Sequence, residues 1–159
     1  MSGRRHVYTA HIAWTGNRGE GTSGYRAYDR SHELAIPGKP PLAMSSDPAF
    51  RGDKARHNPE DLFVASLSSC HMLWYLHVAS DAGVRVTAYE DDAEGCMVED
   101  AERGGFFEKV TLRPRVTVAE AAMVEAARAA HITAHPKCYL ANSVNFPVEI
   151  EPVVSVASG

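Results

Sequence analysis

The chain has 159 residues, 45% of them apolar, and a formal net charge of −4 at pH 7. This length predicts one domain over residues 1–159, with room for a sizeable core. The basic residues are scattered along the sequence, which argues against a nucleic acid or an anionic membrane as a partner.

The number of cysteines and the N-terminal composition predict the compartment. There are three cysteines, and no apolar segment follows Arg4 and Arg5 as it would in a signal peptide. We therefore expect a cytoplasmic protein, in which a structural disulfide framework is disfavoured. Any disulfide in this chain is expected to be transient and functional.

The first third of the chain is predicted to consist of strands and loops. Residues 6–14 alternate in the manner of a strand, and residues 24–36 resume a strand-like pattern after a glycine-containing turn. Residues 37–57 hold four prolines and are predicted to form a long irregular loop.

A long helix is predicted to begin after Asn58, which suits an N-cap, with Pro59 at the first helical position and acidic residues in the first turn. It is expected to run to Asp81–Ala82 and to stop at Gly83. Roughly 24 residues correspond to about 36 Å. The helix is apolar nearly all round, which is typical of a buried helix or a membrane span. Interrupting serines and histidines, and the flanking strands, favour the buried position.

Two strands are predicted after the long helix, over residues 84–98 and 105–118. The turn between them is predicted at Gly104–Gly105.

The C-terminal part is predicted to add a second helix and a last strand. Thr117 and Glu120 match a capping box for a helix over about 118–132. Residues 145–154 form the last predicted strand, with Pro147 at an edge or a bulge. Strands and helices in this order predict an α+β fold.

The long apolar helix also predicts an oligomer. One sheet in a domain of this size cannot cover such a helix on all sides. A homodimer that pairs two of these helices, with a sheet over each face, would bury them.

Two cysteines are the candidate reactive residues. Cys70 lies in the middle of the long helix, and Cys138 follows Pro136 in a segment predicted to open a short helix. A helix N-terminus and the neighbouring His135 and Lys137 would favour a Cys138 thiolate. Free cysteines are also common packing residues. The residues alone leave a redox pair and two packing cysteines as open alternatives.

Glu60 is separated from Cys70 by ten residues, or about 15 Å along a helix axis. The two side chains therefore cannot touch within one straight helix. Glu60 either complements the helix dipole or reaches Cys70 of a second subunit.

Histidines offer a competing site. His131 and His135 are four residues apart, and with Cys138 they form a candidate metal site. No carboxylate lies between the histidines as in a zinc hydrolase motif. A serine hydrolase is disfavoured because the sequence has no nucleophile-elbow motif.

The opening Asn58-Pro59-Glu60-Asp61-Leu62, the Ser68-Ser69-Cys70-His71 segment and the later Cys138 together form a pattern. This pattern resembles the OsmC/Ohr family of osmotically inducible protein C and organic hydroperoxide resistance proteins. The resemblance implies an α+β fold in an intertwined homodimer, with two long central helices back to back. It also implies thiol peroxidase activity without haem, metal or flavin, and thus no cofactor.

The resemblance implies roles for individual residues. Cys70 would be the peroxidatic cysteine and Cys138 the resolving one. Glu60 matches the family glutamate that pairs with an arginine beside the thiolate, from the other subunit in at least part of the family. Arg51 is the preferred candidate for that arginine. The remaining candidates are Arg18, Arg26 and Arg56.

The implied reaction reduces organic hydroperoxides, and possibly hydrogen peroxide, in oxidative-stress defence. An external dithiol, either a lipoylated or a thioredoxin-like protein, would reduce the resulting disulfide. Cys96 lies among acidic residues, which disfavour a thiolate, and is expected to matter little. His71 after the cysteine suggests a distinct subgroup. A non-enzymatic small-molecule binder with structural cysteines is the alternative, because a fold does not determine a function.

Overall fold

The computed structural model describes residues 3–158. The described residues fall into two compact units, which divide between Leu62 and Phe63. The architecture is mixed α+β, which confirms the predicted fold class.

The N-terminal unit contains a three-stranded antiparallel sheet. Its strands are β1 (His11–Trp14), β2 (His32–Ala35) and β3 (Leu42–Met44), in the order β1-β2-β3. Part of the predicted loop over residues 37–57 is thus a strand, and a 3-10 turn over Pro48–Phe50 follows it. Leu34 of β2 pairs with Leu42 of β3, a contact that no local sequence signal indicated.

The predicted strand over residues 24–36 is confined to β2, because Arg30 holds the preceding residues in turns. The Arg30 guanidinium donates hydrogen bonds to the Tyr28 and Tyr25 carbonyls at 2.7 and 2.8 Å. It also stacks over both rings, at 4.2 and 4.3 Å from their centroids.

The long helix, α1, spans Pro59–Asp81 and confirms the predicted bounds. The Asn58 side chain caps it by accepting from the Asp61 N–H at 2.8 Å. Gly83 ends it with a φ of 70°, a left-handed conformation that favours glycine. By length and composition α1 is able to span a bilayer, a test that core helices of globular proteins also pass.

The other unit holds two three-stranded sheets. The first, in the order β4-β7-β9, consists of Val86–Asp91, Pro114–Val118 and Val153–Val156. The second, in the order β5-β6-β8, consists of Glu94–Val98, Phe106–Leu112 and Val148–Ile150. In each sheet the first two strands of this order pair antiparallel, and the third strand pairs parallel to the middle one.

Each of the three strands predicted after α1 is therefore two strands, one in each sheet. The chain passes from β6 to β7 at Arg113, whose backbone N–H donates to the Asp91 carboxylate at 2.7 Å instead of to a neighbouring strand. Pro114 and Pro152 stand at two of the breaks, where a residue without an N–H is tolerated.

The second helix, α2, spans Val124–Ala134 and follows a 3-10 turn over Ala121–Met123. The capping box predicted at Thr117 and Glu120 was wrong. Thr117 lies in β7, opposite Ser155 of β9. Glu120 forms an ion pair with Arg85 at 2.6 Å and makes no capping hydrogen bond. Completing the β7–β9 ladder and burying Val118 delays the start of the helix.

Two hydrophobic clusters form the core of this unit. In the first, α1 and α2 pack on the β4-β7-β9 sheet through Tyr75, Ala127, Ala130 and Val116, among other residues. The second surrounds Leu67 of α1 and joins it to Val110 and Leu112 of β6. The C-terminal halves of α1 and α2 are thereby held in contact, and both candidate cysteines are attached to these two elements.

Candidate functional site

The structure brings Cys70 and Cys138 together. Cys70 is half-buried on α1, and Cys138 is 1% exposed in the segment after α2. Burial and the adjacent Cys70 thiol raise the pKa of Cys138 to about 11. Near neutral pH, Cys138 is therefore a protonated thiol beside a more accessible one.

The surroundings of Cys138 correct the expectation of an activated thiolate. Cys138 ends the 3-10 turn His135–Lys137 rather than opening a helix, and its N–H donates to the His135 carbonyl at 3.1 Å. Removal of the thiol from water raises its pKa, because the charged form loses its hydration, and this outweighs the opposing backbone hydrogen bonds from Ala141 and Leu140. Asn142 secures the loop through its side-chain bond to the Pro136 carbonyl at 3.0 Å.

Glu60 lies in the first turn of α1, as predicted, and is partly exposed. Ten residues separate it from Cys70 on this continuous helix. Among residues 3–158 its carboxylate forms no ion pair.

Arg51 is exposed and ends the Pro48–Phe50 turn with a φ of 66°. A left-handed conformation is uncommon for a residue other than glycine. The backbone N–H of Arg51 donates to the Pro48 carbonyl at 3.1 Å, and its guanidinium has no hydrogen-bond partner in the part of the chain that is described.

The other candidate arginines differ in their partners. Arg18 faces Asp29 at 3.7 Å, and Arg56 faces Asp53 at 3.5 Å. Both are partly exposed pairs of the kind that contribute little to stability. Which arginine serves the site stays a prediction.

A buried cluster of histidines and a tyrosine lies between α1 and α2, and the sequence did not predict it. His71 of α1 and His131 of α2 are 1% and 3% exposed, and His71 Nε2 lies 3.0 Å from His131 Nδ1. The His131 ring stacks on Tyr75 with centroids 4.0 Å apart. His135 meets His71 edge-on at 6.4 Å.

Burial lowers the pKa of both His71 and His131 to about 4; His135 lowers that of His71 further against an opposing effect of Asp91, and His71 lowers that of His131 further. Both are therefore neutral near neutral pH, and one ring donates its proton to the other across the 3.0 Å contact. The remaining ring nitrogens, His71 Nδ1 and His131 Nε2, have no partner within residues 3–158.

The i, i+4 spacing of His131 and His135 does not produce the candidate metal site. Among the described residues, no three His, Cys, Asp or Glu side chains are arranged to hold a metal ion. His131 instead shares the buried face of α2 with Ala127, Ala130 and Ala134. The spacing of these four residues, three or four apart along a helix, was the sequence signal that His131 faces the core.

The fold and the paired thiols define a class: an α+β protein with a half-buried cysteine on a long helix beside a buried second cysteine. The chain belongs to the family of OsmC-like proteins, whose family model matches residues 52–153. The family resemblance seen in the sequence is thus confirmed.

Several solved structures have a similar fold. An OsmC-like protein of unknown function from Vibrio cholerae is 29% identical, with a TM-score of 0.84 over 94% of this chain and 100% of that one. An organic hydroperoxide resistance protein from Elizabethkingia anophelis is 19% identical, with a TM-score of 0.66 over 98% and 100%. One from Legionella pneumophila is 18% identical, with the same TM-score and coverage. The last two share the fold. A search of curated proteins found no match.

Proposed function

We propose that this chain is a cysteine-based peroxidase that reduces organic hydroperoxides in oxidative-stress defence. The observation that carries the proposal is the contact between Cys70 and Cys138, two thiols of unequal burial in a chain with three cysteines. Membership of a family that includes organic hydroperoxide resistance proteins supports it.

The reaction proceeds in two chemical steps and one reduction. The Cys70 thiolate attacks the distal peroxide oxygen, the O–O bond breaks, and the alkoxide leaves as an alcohol after taking a proton. Cys70 is then a sulfenic acid. The Cys138 sulfur attacks the Cys70 sulfur, water leaves, and a disulfide forms. An external dithiol reduces this disulfide by thiol–disulfide exchange and becomes a disulfide itself.

The unequal environments of the two thiols support this division of roles. Cys138 is buried and its raised pKa keeps it protonated, which makes it a poor first nucleophile. Its position beside Cys70 suits a residue that acts once the sulfenic acid has formed. Cys70 is the more exposed of the two and is open to a substrate.

A homodimer belongs to the same proposal. Leu73 and Leu76 of α1 are 61% and 37% exposed, an unusual state for leucines three residues apart in the longest helix. A second copy of α1 would cover them. In that dimer Glu60 and an arginine, with Arg51 preferred, hold the Cys70 thiolate of the other subunit. A guanidinium is permanently charged and suits this role.

The reductant is proposed to be a lipoylated or a thioredoxin-like dithiol protein, and the location cytoplasmic. The competing function is a non-enzymatic binder in which both cysteines only pack.

The deciding test is a count of free thiols before and after one equivalent of an organic hydroperoxide. Loss of two thiols per chain, with peptide mapping of a Cys70–Cys138 disulfide, is the expected result. The matched control is Cys96→Ser, which should lose the same two thiols. Retention of all thiols in the folded protein would favour the binder and contradict the peroxidase.

A further inference from the structure

Trp74 of α1 lies close in sequence to Cys70 and contacts the segment that carries Cys138. Trp74 and Cys70 are four residues apart on the continuous helix, a spacing that places both side chains on the same face. We call residues 136–143, which follow α2, the Cys138 loop. Trp74 is therefore the neighbour of Cys70 along the helix face that meets this loop.

Both sequence neighbours of Cys138 contact the Trp74 indole. The Tyr139 ring meets it edge-on, with centroids 5.5 Å apart and an interplanar angle of 86°. Lys137 Nζ lies 5.8 Å from the centroid of the indole, within the range of a cation–π interaction. These two contacts attach the loop to α1 on either side of Cys138.

The burial of these residues shows how the loop is seated. Lys137 and Tyr139 are exposed, whereas Cys138 between them is 1% exposed. Trp74 is half-buried and packs against the first hydrophobic cluster. The core thus holds the indole in place, two surface side chains lie against it, and the thiol between them is turned inwards beside Cys70.

Hydrogen bonds brace the Cys138 loop internally. The Asn142 side chain donates to the Pro136 carbonyl, and the Asn142 N–H donates to the Cys138 carbonyl, both at 3.0 Å. The Ser143 hydroxyl donates to the Tyr139 carbonyl at 2.6 Å. Because the loop is braced in this way, a contact at Tyr139 also determines where Cys138 lies.

The placement of Cys138 decides what happens to oxidised Cys70. A disulfide requires the two Cβ atoms to approach to about 3.5–4.5 Å. When the Cys138 sulfur attacks the Cys70 sulfenic acid, water leaves and the disulfide forms. Otherwise a second hydroperoxide oxidises the sulfenic acid to a sulfinic acid, as its O–O bond breaks and an alcohol leaves. The ratio of the two products therefore reports how well Cys138 is placed.

We propose that Trp74 is a positioning residue for Cys138. Its contacts with Lys137 and Tyr139 hold the resolving thiol against Cys70, so that disulfide formation outruns overoxidation. The inference rests on the proposed peroxidase for the roles of the two cysteines. Trp74 acts through the Cys138 loop and takes no part in the chemistry itself.

The first test measures how readily the two thiols pair, without any peroxide. The full chain is equilibrated in mixtures of reduced and oxidised dithiothreitol, and mass spectrometry after alkylation gives the fraction with a Cys70–Cys138 disulfide. Trp74→Ala is expected to lower the equilibrium constant for this disulfide about fivefold, through loss of the aromatic contact. Trp74→Phe keeps a ring and is expected to recover most of the loss.

Two further variants separate this contact from general packing. Phe63→Ala removes an aromatic residue near the other end of α1, whose ring lies 5.2 Å from that of Phe107, and should leave the disulfide equilibrium unchanged. Tyr139→Ala completes a double-mutant cycle with Trp74→Ala. If the contact carries the effect, the double variant loses clearly less than the sum of the two single losses.

The second test uses cumene hydroperoxide and reads the products at Cys70. A larger share of Trp74→Ala than of the unmodified chain is expected to carry a sulfinic acid after treatment. The rate at which the Cys70 thiol is first consumed is expected to stay within about twofold, because Trp74 acts on the later step. A loss of stability alone would not produce this split between the two steps.

Three results would overturn the inference: an unchanged disulfide equilibrium in Trp74→Ala, an equal loss in Phe63→Ala, or fully additive losses in the cycle. Failure of the peroxidase proposal has a different signature. A chain that forms the disulfide in dithiothreitol, with the expected effect of Trp74→Ala, but does not react with hydroperoxide would contradict only the peroxidase.

Discussion

At the level of single residues, Cys70 and Cys138 face different surroundings and are expected to respond differently to substitution. Cys70→Ser should abolish peroxide consumption, because the nucleophile is gone. Cys138→Ser should allow one turnover and leave Cys70 open to overoxidation, because no resolving thiol remains. A steady-state assay and the mass of the peroxide-treated protein distinguish the two. Unchanged turnover in Cys70→Ser would contradict the assignment.

Cys96 is the internal control for these substitutions. It is exposed on β5, and its thiol lies 3.7 Å from the Glu108 carboxylate rather than beside either of the other two cysteines. Cys96→Ser is expected to leave turnover unchanged. Mapping of a Cys70–Cys96 disulfide in the oxidised protein would reverse the ranking of the cysteines.

The buried histidine pair predicts a loss of stability in acid. The pKa of His71 and of His131 is lowered from 6.5 to about 4 in the folded chain, mainly by burial. The unfolded chain binds more protons between these values, so the stabilisation is complete above about pH 6.5 and is lost as the pH falls towards 4. For one histidine, the free energy of unfolding lost across this range amounts to roughly 3 kcal/mol.

Urea unfolding across that pH range measures this effect. His71→Gln keeps a side chain that is able to form a hydrogen bond with His131. In this variant the free energy of unfolding is expected to depend less steeply on pH. His77→Gln, an exposed histidine on the same helix, is the matched control. If the free energy of unfolding of His71→Gln fell as steeply with pH as that of the unmodified protein, other groups would be responsible for the loss of stability in acid.

At the level of elements, the ends of α1 depend on two residues. Asn58→Ala removes the side chain that accepts from the Asp61 N–H, at an expected cost of about 1 kcal/mol. Gly83→Ala places a Cβ at a φ of 70°, at a cost of about 1–2 kcal/mol. Denaturant midpoints measure both. Ser80→Ala, at an exposed residue of the last turn, should change stability by less than about 0.5 kcal/mol. Equal effects in all three variants would contradict specific capping.

At the level of the whole molecule, the exposed leucines of α1 predict the oligomeric state. Sedimentation of the unmodified protein should give a dimer, and Leu73→Asp should shift it towards monomer, because a buried carboxylate without a partner is costly. Ile132→Asp introduces the same charge at a residue of α2 that is 79% exposed, and is expected to leave the dimer intact. A monomeric unmodified protein would remove the basis for a site shared between subunits.

A mixing experiment tests whether Glu60 acts across the dimer. A Glu60→Ala chain and a Cys70→Ser chain are each expected to be inactive or nearly so. In a mixed dimer, action in trans leaves one site with both residues and one with neither, and activity returns. Action in cis leaves both sites damaged. Subunit exchange under mild denaturant is confirmed by mass before the assay.

Much of the local structure was predictable because its causes are local. Asn58, Pro59 and Gly83 act within one turn of the helix they bound, and their chemistry identified α1 to within a residue. The spacing from Glu60 to Cys70, with Cys138 further on, indicated the family, which the family match confirmed. The α+β class followed from the order of apolar segments.

Tertiary structure decided what depends on contacts distant in sequence. Thr117 carries a capping signal, yet pairing with Ser155 keeps it in a strand. Cys138 has helpful neighbours in sequence, yet burial raises the pKa of its thiol, because desolvation depends on everything packed around it. His71 and His131 are 60 residues apart, and no local pattern brings His71 Nε2 to 3.0 Å from His131 Nδ1. The sequence by itself thus determined α1, the fold class and the candidate thiols. The packing of α1 against α2 decided which thiol is buried and which histidines stay neutral.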